Sequence, residues 1–348
     1  MIPVVVDIDA AETDFAEGAL SQLIGALRRV PAGEHLAIRG SSPSLRSDIV
    51  LWSRITGHAI VEEAGLGSEV RRFVIRKGPA PVASEPGDGT GEAPGERLWI
   101  YTNFDCNLAC TYCCVRSGPQ ATPRRLDAAK VRALAEEAPA LGFRRIFVTG
   151  GEPFLAPEIR ELLAACTDAL PTTVLTNGTL LRGARGKLLE VLPRDRLVLQ
   201  ISLDSPTPER HDRVRGSGSW RRAWGGIVWA RERGFRVRVA ATLPADGYRA
   251  TMDEWLAANG VAPEDRVLRP VARRGFAQEG LSLAKGELVP ELTLTAQGAY
   301  WHPVGADDDD FLVLRPLGSL AEAAGELQRQ WNEERASSRA LAEGFPCA

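Results

Sequence analysis

Four of the six cysteines in this 348-residue chain lie within nine positions, from Cys106 to Cys114. The spacing Cys106-x3-Cys110-x2-Cys113 puts three thiolates on one short segment, where they can converge on a single group. A structural zinc site usually has four ligands in two pairs, and the sequence has neither a second cysteine pair nor a finger-like histidine pair. Three cysteines suit a cubane iron–sulfur cluster with one iron open to a chelating ligand. A chance grouping of buried cysteines is the alternative.

Two motifs resemble those of one enzyme family. The segment C-x3-C-x-Tyr-C, which ends at Cys113, resembles the signature of radical S-adenosylmethionine (SAM) enzymes of the MoaA and SPASM type. The segment from Thr149 to Pro153, Thr-Gly-Gly-Glu-Pro, resembles a second motif of the same family. The resemblance implies one [4Fe–4S] cluster held by Cys106, Cys110 and Cys113, with SAM as the second cofactor. In that family the cluster reduces SAM, and the resulting 5′-deoxyadenosyl radical abstracts a hydrogen atom from the substrate.

The resemblance also implies which residues bind SAM. The expected contacts are Tyr112 at the adenine, Gly150, Gly151 and Glu152 at the methionine ammonium, and Asn177 and Ser202 at the ribose. Two glycines allow a ligand to approach the backbone closely, and a carboxylate accepts hydrogen bonds from an ammonium. An ordinary strand-to-helix turn is the alternative for the glycine pair, and routine turn chemistry is the alternative for Asn177.

Three further residues have weaker signals. Cys114 follows Cys113 directly, so it is expected to point away from the cluster and to be a buried structural thiol. His211 and Asp212 match a segment often seen after the fourth strand in the family's peptide-modifying and cofactor-building branch. The start of a solvated helix explains the same two residues equally well.

Composition argues against charged macromolecular partners. The formal net charge is −3 and the isoelectric point is near 6, so nothing attracts the chain strongly to nucleic acid or to an anionic membrane. The amino-terminal residues are not expected to act as a signal peptide, because they are acidic where a basic start is needed, and no stretch of about 18 apolar residues occurs. We expect a cytoplasmic protein, and in that reducing compartment clustered thiols favour metal binding or redox chemistry over disulfides.

The distribution of glycine and proline along the chain predicts the domain organisation. Nine of the eighteen residues from Gly78 to Gly95 are Gly or Pro, which predicts a flexible linker at 78–96. Residues 1–77 predict a two-layer α+β domain with the order β-α-β-α-β-β. In residues 97–280, strands alternate with helices, which predicts an α/β fold, a parallel (β/α)6 partial TIM barrel. Residues 281–348 predict an α+β cap on that barrel.

The first and last segments each resemble a known domain without its usual cysteines. Residues 1–77 resemble the TusA-like sulfurtransferase fold, but residues 1–105 contain no cysteine, so they cannot relay sulfur as a persulfide. The last segment resembles a degenerate SPASM or twitch domain, and no cysteine lies between Thr167 and Pro346. An auxiliary iron–sulfur cluster is therefore not expected, and a docking role is the simplest one for the first domain.

These signals together predict a radical SAM enzyme that modifies a peptide or a small biosynthetic intermediate. The resemblance implies a one-electron donor such as a flavodoxin or ferredoxin, and a substrate or partner is expected to dock on the amino-terminal domain. The alternative is a non-catalytic iron–sulfur or zinc-binding scaffold that retains the fold.

Overall fold

The computed structural model describes residues 2–13, 19–27, 29–31, 33–56, 58–65, 70–78, 95–243 and 248–344. The chain divides into two compact units: the first contains Met1–Pro86, Thr242–Val271 and Gly280–Glu287, and the second contains Gly87–Ala241, Ala272–Glu279 and Leu288–Ala348. Most of the predicted linker, 78–96, lies outside the described residues. No helix in the described ranges is long and apolar enough to cross a bilayer.

The elements follow one another along the chain in this order. The first are β1 (Val6–Asp9), α1 (Ala19–Leu27), β2 (His35–Gly40), α2 (Leu45–Thr56), β3 (Ala59–Ala64), β4 (Arg71–Arg76), β5 (Arg97–Tyr101), α3 (Ala128–Glu137), β6 (Arg145–Thr149), α4 (Ile159–Ala169) and β7 (Thr172–Thr176). The remaining ones are α5 (Ala184–Lys187), β8 (Leu197–Ser202), α6 (Pro208–Arg215), α7 (Ser219–Glu232), β9 (Arg236–Leu243), α8 (Arg249–Ala258), β10 (Arg266–Pro270), β11 (Thr293–Thr295), β12 (Gly298–Tyr300), β13 (Leu312–Leu314) and α9 (Leu320–Gly344).

The amino-terminal part of the first unit has the predicted order β-α-β-α-β-β. Its sheet runs β1-β2-β4-β3, with β1 parallel to β2 and the other two pairings antiparallel. Alternate residues of β2 and β4 face one side, where Leu36, Ile38, Phe73 and Ile75 pack with Leu23 of α1 in a buried core. This alternation is what a sheet covered on one face by helices requires.

The second unit has a mixed sheet with the strand order β9-β8-β7-β6-β5-β11-β12-β13. Strands β5 to β9 are parallel to their neighbours, as the alternation of strands and helices predicts. In the tail, β11 and β12 form an antiparallel hairpin. Its strand β11 pairs in parallel with β5, with Thr293 opposite Trp99, so the tail extends the main sheet.

Parallel pairing brings the sequence motifs to one edge of this sheet. Cys106 follows the end of β5, Gly150 follows β6 directly, Asn177 follows β7 directly, and Ser202 is the last residue of β8. The carboxyl ends of parallel neighbouring strands lie side by side, and ligands of open α/β sheets bind at that edge. The topology therefore gathers the motif residues at a single site.

Candidate functional site

The three predicted cluster ligands lie on the loop after β5. Cys106 is buried, and Cys110 and Cys113 are half-buried. The Cys106 sulfur accepts a hydrogen bond from the Leu108 amide at 3.4 Å, and the Cys113 sulfur accepts one from the Ser117 amide at 3.3 Å. Amide donors of this kind stabilise sulfur that carries negative charge, as a thiolate ligand does.

The three thiols also influence one another electrostatically. Burial raises the pKa of Cys106 to about 12, and the neighbouring charges of Glu152, Cys110 and Cys113 raise it further. Burial likewise raises the pKa of Cys110, which Cys113 raises and Arg215 lowers. Thiols whose charges interact lie near one another, and each must lose its proton to bind a metal. A positively charged iron–sulfur core would relieve this mutual repulsion.

The donor set therefore fits a [4Fe–4S] cluster. Three sulfurs come from one loop, two of them accept amide hydrogen bonds, and the Ser117 hydroxyl on the same segment is buried with no partner in the described part of the chain. In the same ranges no three His, Cys, Asp or Glu side chains are close enough to share a single metal ion. Cys114 packs partly buried against Tyr101, Phe104 and Val115, as does Cys113.

Gly150 and Gly151 allow two chain segments to pack closely. A Cβ atom at Gly151 would lie 2.2 Å from the Asp105 carbonyl oxygen, and one at Gly150 would lie 2.7 Å from the Asn103 carbonyl oxygen. The Gly151 amide donates to the Asn103 carbonyl at 2.9 Å, which fastens this turn to the start of the cysteine loop. The glycine pair is thus required by packing, and its predicted contact with SAM stays a prediction.

Glu152 is fully buried and connects the ends of β6 and β7. One carboxylate oxygen accepts from the Phe154 amide at 3.1 Å and from the Thr176 hydroxyl at 2.7 Å, and the other accepts from the Asn177 amide at 2.8 Å. Burial raises the Glu152 pKa to about 7, although these three donors favour the charged form and lower it. A carboxylate has about four acceptor positions, so one is left for an ammonium group.

This raised pKa predicts a pH-dependent stability. Folded Glu152 holds a proton between about pH 4.5 and 7 that the unfolded chain has released, so its contribution to the free energy of unfolding falls as pH rises through that window. The total fall is up to about 3 kcal/mol. We expect the stability of the apoprotein relative to its Glu152→Gln variant to decrease from pH 5 to pH 7.5 in urea titrations. A difference that is constant with pH would contradict the assignment.

Asn177 and Ser202 both lie at strand ends. The Asn177 side-chain amide donates to the Asn107 side-chain oxygen at 2.8 Å and to the Cys106 sulfur at 3.8 Å, so Asn177 contacts the cysteine loop itself. Ser202 is half-buried. Their predicted contacts with the ribose stay predictions.

Tyr112 belongs to a buried network that the motifs did not reveal. Its hydroxyl donates to the Asp204 carboxylate, which forms two hydrogen bonds with the Arg215 guanidinium, at 2.6 and 3.2 Å. The guanidinium carbon also lies 5.4 Å from the centre of the Tyr112 ring. Burial would raise the Asp204 pKa, but Arg215 and the hydrogen bonds lower it overall, so the carboxylate is charged. We call Tyr112, Asp204 and Arg215 the Arg215 network.

The Arg215 network attaches helix α6 to the cysteine loop. The Thr111 amide donates to the Val214 carbonyl at 3.0 Å, beside Tyr112 and Arg215. His211 is buried, its pKa is lowered to about 4 by burial, and its Nδ1 accepts from the Asp204 amide at 3.1 Å. Asp212 instead accepts from the Gly218 and Trp220 amides at 2.6 and 2.8 Å, at the start of α7. The two residues therefore have different structural roles: His211 binds the backbone of Asp204, and Asp212 binds the amides at the start of α7.

Comparison with known proteins identifies the central part of the chain. The family model of the radical SAM superfamily matches residues 100–252. The AdoMet-dependent heme synthase of Nitratidesulfovibrio vulgaris is 28% identical over 180 residues, 51% of this chain and 48% of that protein. The PqqA peptide cyclase of Ruegeria pomeroyi is 33% identical over 151 residues, 43% of this chain and 39% of that protein. The chain therefore spans about half the length, or less, of these two relatives.

The fold also resembles that of a solved structure. The chain matches native anSMEcpe with bound AdoMet and Cp18Cys peptide at a TM-score of 0.50 and 13% identity, over 67% of this chain and 81% of that one. This likeness concerns the fold alone. Proteins of the radical SAM family bind a [4Fe–4S] cluster and SAM, the two cofactors that the resemblance of the cysteine and Gly-Gly-Glu motifs implies. The segment 100–252 of this chain thus matches the model of the radical SAM superfamily.

Proposed function

We propose that this chain is a radical SAM enzyme in which Cys106, Cys110 and Cys113 hold the [4Fe–4S] cluster. The placement of these three thiols on one loop, at the carboxyl edge of the parallel strands, carries the proposal. When bound, the cluster and SAM together supply a one-electron cleavage of SAM and the abstraction of a hydrogen atom from the substrate. The Leu108 and Ser117 amides orient the sulfurs of Cys106 and Cys113.

The other predicted SAM contacts form part of the same proposal. Glu152 offers its remaining acceptor position to the methionine ammonium, and the fully buried carboxylate is fixed in orientation by its three donors. Asn177 holds the cysteine loop through Asn107 and is placed to contact the ribose together with Ser202. Tyr112 faces the adenine with a ring whose orientation the Asp204 carboxylate fixes. Because these side chains are already held in place, the binding of SAM would cost less conformational entropy.

A peptide is the favoured substrate class, and a small biosynthetic intermediate is the second candidate. Support for a peptide comes from the relative named PqqA peptide cyclase. Support for a small molecule comes from the relative named AdoMet-dependent heme synthase. Incubating the reconstituted protein with SAM and a candidate substrate of each class distinguishes them, because only the true substrate raises the rate of SAM cleavage.

Several features of the wider protein complete the proposal. We propose that the parallel strands form a partial barrel around the site, in a cytoplasmic enzyme served by a flavodoxin or ferredoxin as electron donor. The amino-terminal βαβαββ domain, residues 1–77, would be a TusA-like docking module for a substrate or partner. The order of its strands and helices and its buried core support the α+β assignment.

The proposal is tested by anaerobic reconstitution of the full chain. With iron, sulfide and dithionite, the protein is expected to bind about four irons and four sulfides and to convert SAM to 5′-deoxyadenosine, measured by liquid chromatography and mass spectrometry. Samples without reductant serve as the control. Protein that binds iron and sulfide but never cleaves SAM would support the non-catalytic scaffold, and protein that binds zinc alone would support a zinc site.

A further inference from the structure

Ser117 has a buried hydroxyl without a hydrogen-bond partner. The residue is 3% exposed, and its Oγ contacts neither solvent nor any donor or acceptor in the described part of the chain. Buried polar groups in folded proteins nearly always have a partner, because an unpaired one loses its hydrogen bonds to water and gains none within the protein. The missing partner is therefore expected to be a group that binds at this place.

The backbone on either side of this hydroxyl is fastened to two predicted cluster ligands. The Ser117 amide donates to the Cys113 sulfur at 3.3 Å. The carbonyl of the next residue, Gly118, accepts from the Cys106 amide at 3.1 Å, and Gly118 also forms a β-bridge with Asp105. Ser117 is thus held between Cys113 and Cys106 on the segment that closes the cysteine loop.

The turn that presents Ser117 is strained. Arg116 has a φ of 49°, in the left-handed region that residues other than glycine rarely adopt. Its side chain is held in place by an ion pair with Asp307 at 2.8 Å. Strained backbone persists where its surroundings impose it, and such positions are concentrated at functional sites. Here the strained residue comes directly before the amide that binds the Cys113 sulfur.

We propose that the Ser117 hydroxyl donates a hydrogen bond to a sulfur atom of the bound [4Fe–4S] cluster or its thiolates, and thereby raises the reduction potential of the cluster. This inference rests on the proposed function. Reduction adds negative charge that is partly carried by sulfur, so a donor stabilises the reduced form more than the oxidised form. Ser117 is a positioning residue in this account, since it acts through the cluster and does not touch the reacting atoms.

The test compares Ser117→Ala with Ser117→Thr in the full-length, anaerobically reconstituted protein. Ser117→Ala removes the hydroxyl, whereas Ser117→Thr keeps it, and Ser217→Ala, at an exposed position, is the matched control for a serine-to-alanine change. Midpoint potentials are measured by redox titration monitored by electron paramagnetic resonance (EPR), and the thermal unfolding of each apoprotein is measured in parallel.

We expect Ser117→Ala to shift the midpoint potential to a more negative value, while Ser117→Thr and Ser217→Ala stay near the wild-type value. The Ser117→Ala apoprotein should unfold at no lower temperature than the wild type, because the hydroxyl it lacks has no partner there. An unchanged potential in Ser117→Ala, or equal shifts in Ser117→Ala and Ser117→Thr, would overturn the inference. Wild-type protein that assembles no cluster would instead overturn the proposed function itself.

Discussion

Replacing Cys106, Cys110 or Cys113 with alanine, one at a time, is expected to abolish both the cluster and the cleavage of SAM. Each of these thiols is one of three ligands from a single loop, so no other cysteine on that loop can substitute without moving the backbone. Iron and sulfide content and 5′-deoxyadenosine formation are measured after identical anaerobic reconstitution. The expected loss of product is at least a thousandfold, the effect of removing a group on which the reaction depends.

Cys114→Ala is the matched control for these three variants. Cys114 is adjacent to a predicted ligand and packs partly buried against the apolar side chains of Tyr101, Phe104 and Val115. Losing its sulfur should cost some stability through packing, of the order of 1 kcal/mol, but should leave the cluster intact. If Cys114→Ala lost the cluster while Cys113→Ala kept it, the ligand assignment would be wrong.

Arg215→Ala is expected to lower the free energy of unfolding by about 3–5 kcal/mol. The Arg215 side chain is 8% exposed and its partner Asp204 is 5% exposed, so the variant leaves a buried carboxylate that has lost the guanidinium paired with it. Urea unfolding of the apoprotein at pH 7 measures the loss. Arg213→Ala, at an exposed position on the same helix, is the control and should change stability by less than about 0.5 kcal/mol.

A double-mutant cycle separates the ion pair from the loss of packing. Because Asp204 and Arg215 share two hydrogen bonds, the variant lacking both side chains should lose less stability than the sum of the two single variants. Additive losses would show that the two groups do not interact. A loss below about 1 kcal/mol in Arg215→Ala would show that the pair is open to water.

Much of the fold follows from local signals in the sequence. The apolar strands and amphipathic helices of 97–243 have clear periods, and their alternation predicts parallel pairing and hence one functional edge. The pairing of the tail strands is harder to predict. Strand β11 has three residues, all buried, and shows no alternation that would assign it to a sheet edge. Its pairing with β5 depends on contacts between residues almost two hundred positions apart. The grouping of Thr242–Val271 with Met1–Pro86 in one compact unit likewise depends on contacts between distant parts of the chain.

The residues of the candidate site that belong to a sequence motif could be predicted. Those brought to the site only by tertiary contacts could not. Cysteine spacing located the loop, and Gly-Gly-Glu located the neighbouring turn. Arg215 has no local signal, because an arginine near the end of a polar helix usually faces solvent, and only the approach of Asp204 and Tyr112 buries it. The three donors on Glu152 come partly from the next strand, so its role as a link between strand ends is equally invisible in the sequence.

The most direct test is the EPR spectrum of the reduced, reconstituted protein with and without SAM. Three cysteine ligands leave one iron of the cluster open, and SAM that binds there changes the ligands of that iron and therefore the spectrum. We predict a [4Fe–4S] signal whose g values shift on addition of SAM and stay unchanged on addition of 5′-methylthioadenosine, which lacks the amino and carboxylate groups that would chelate the open iron. A cluster signal that SAM does not alter would contradict the account, because it would show that the open iron is absent or that SAM does not bind at this site.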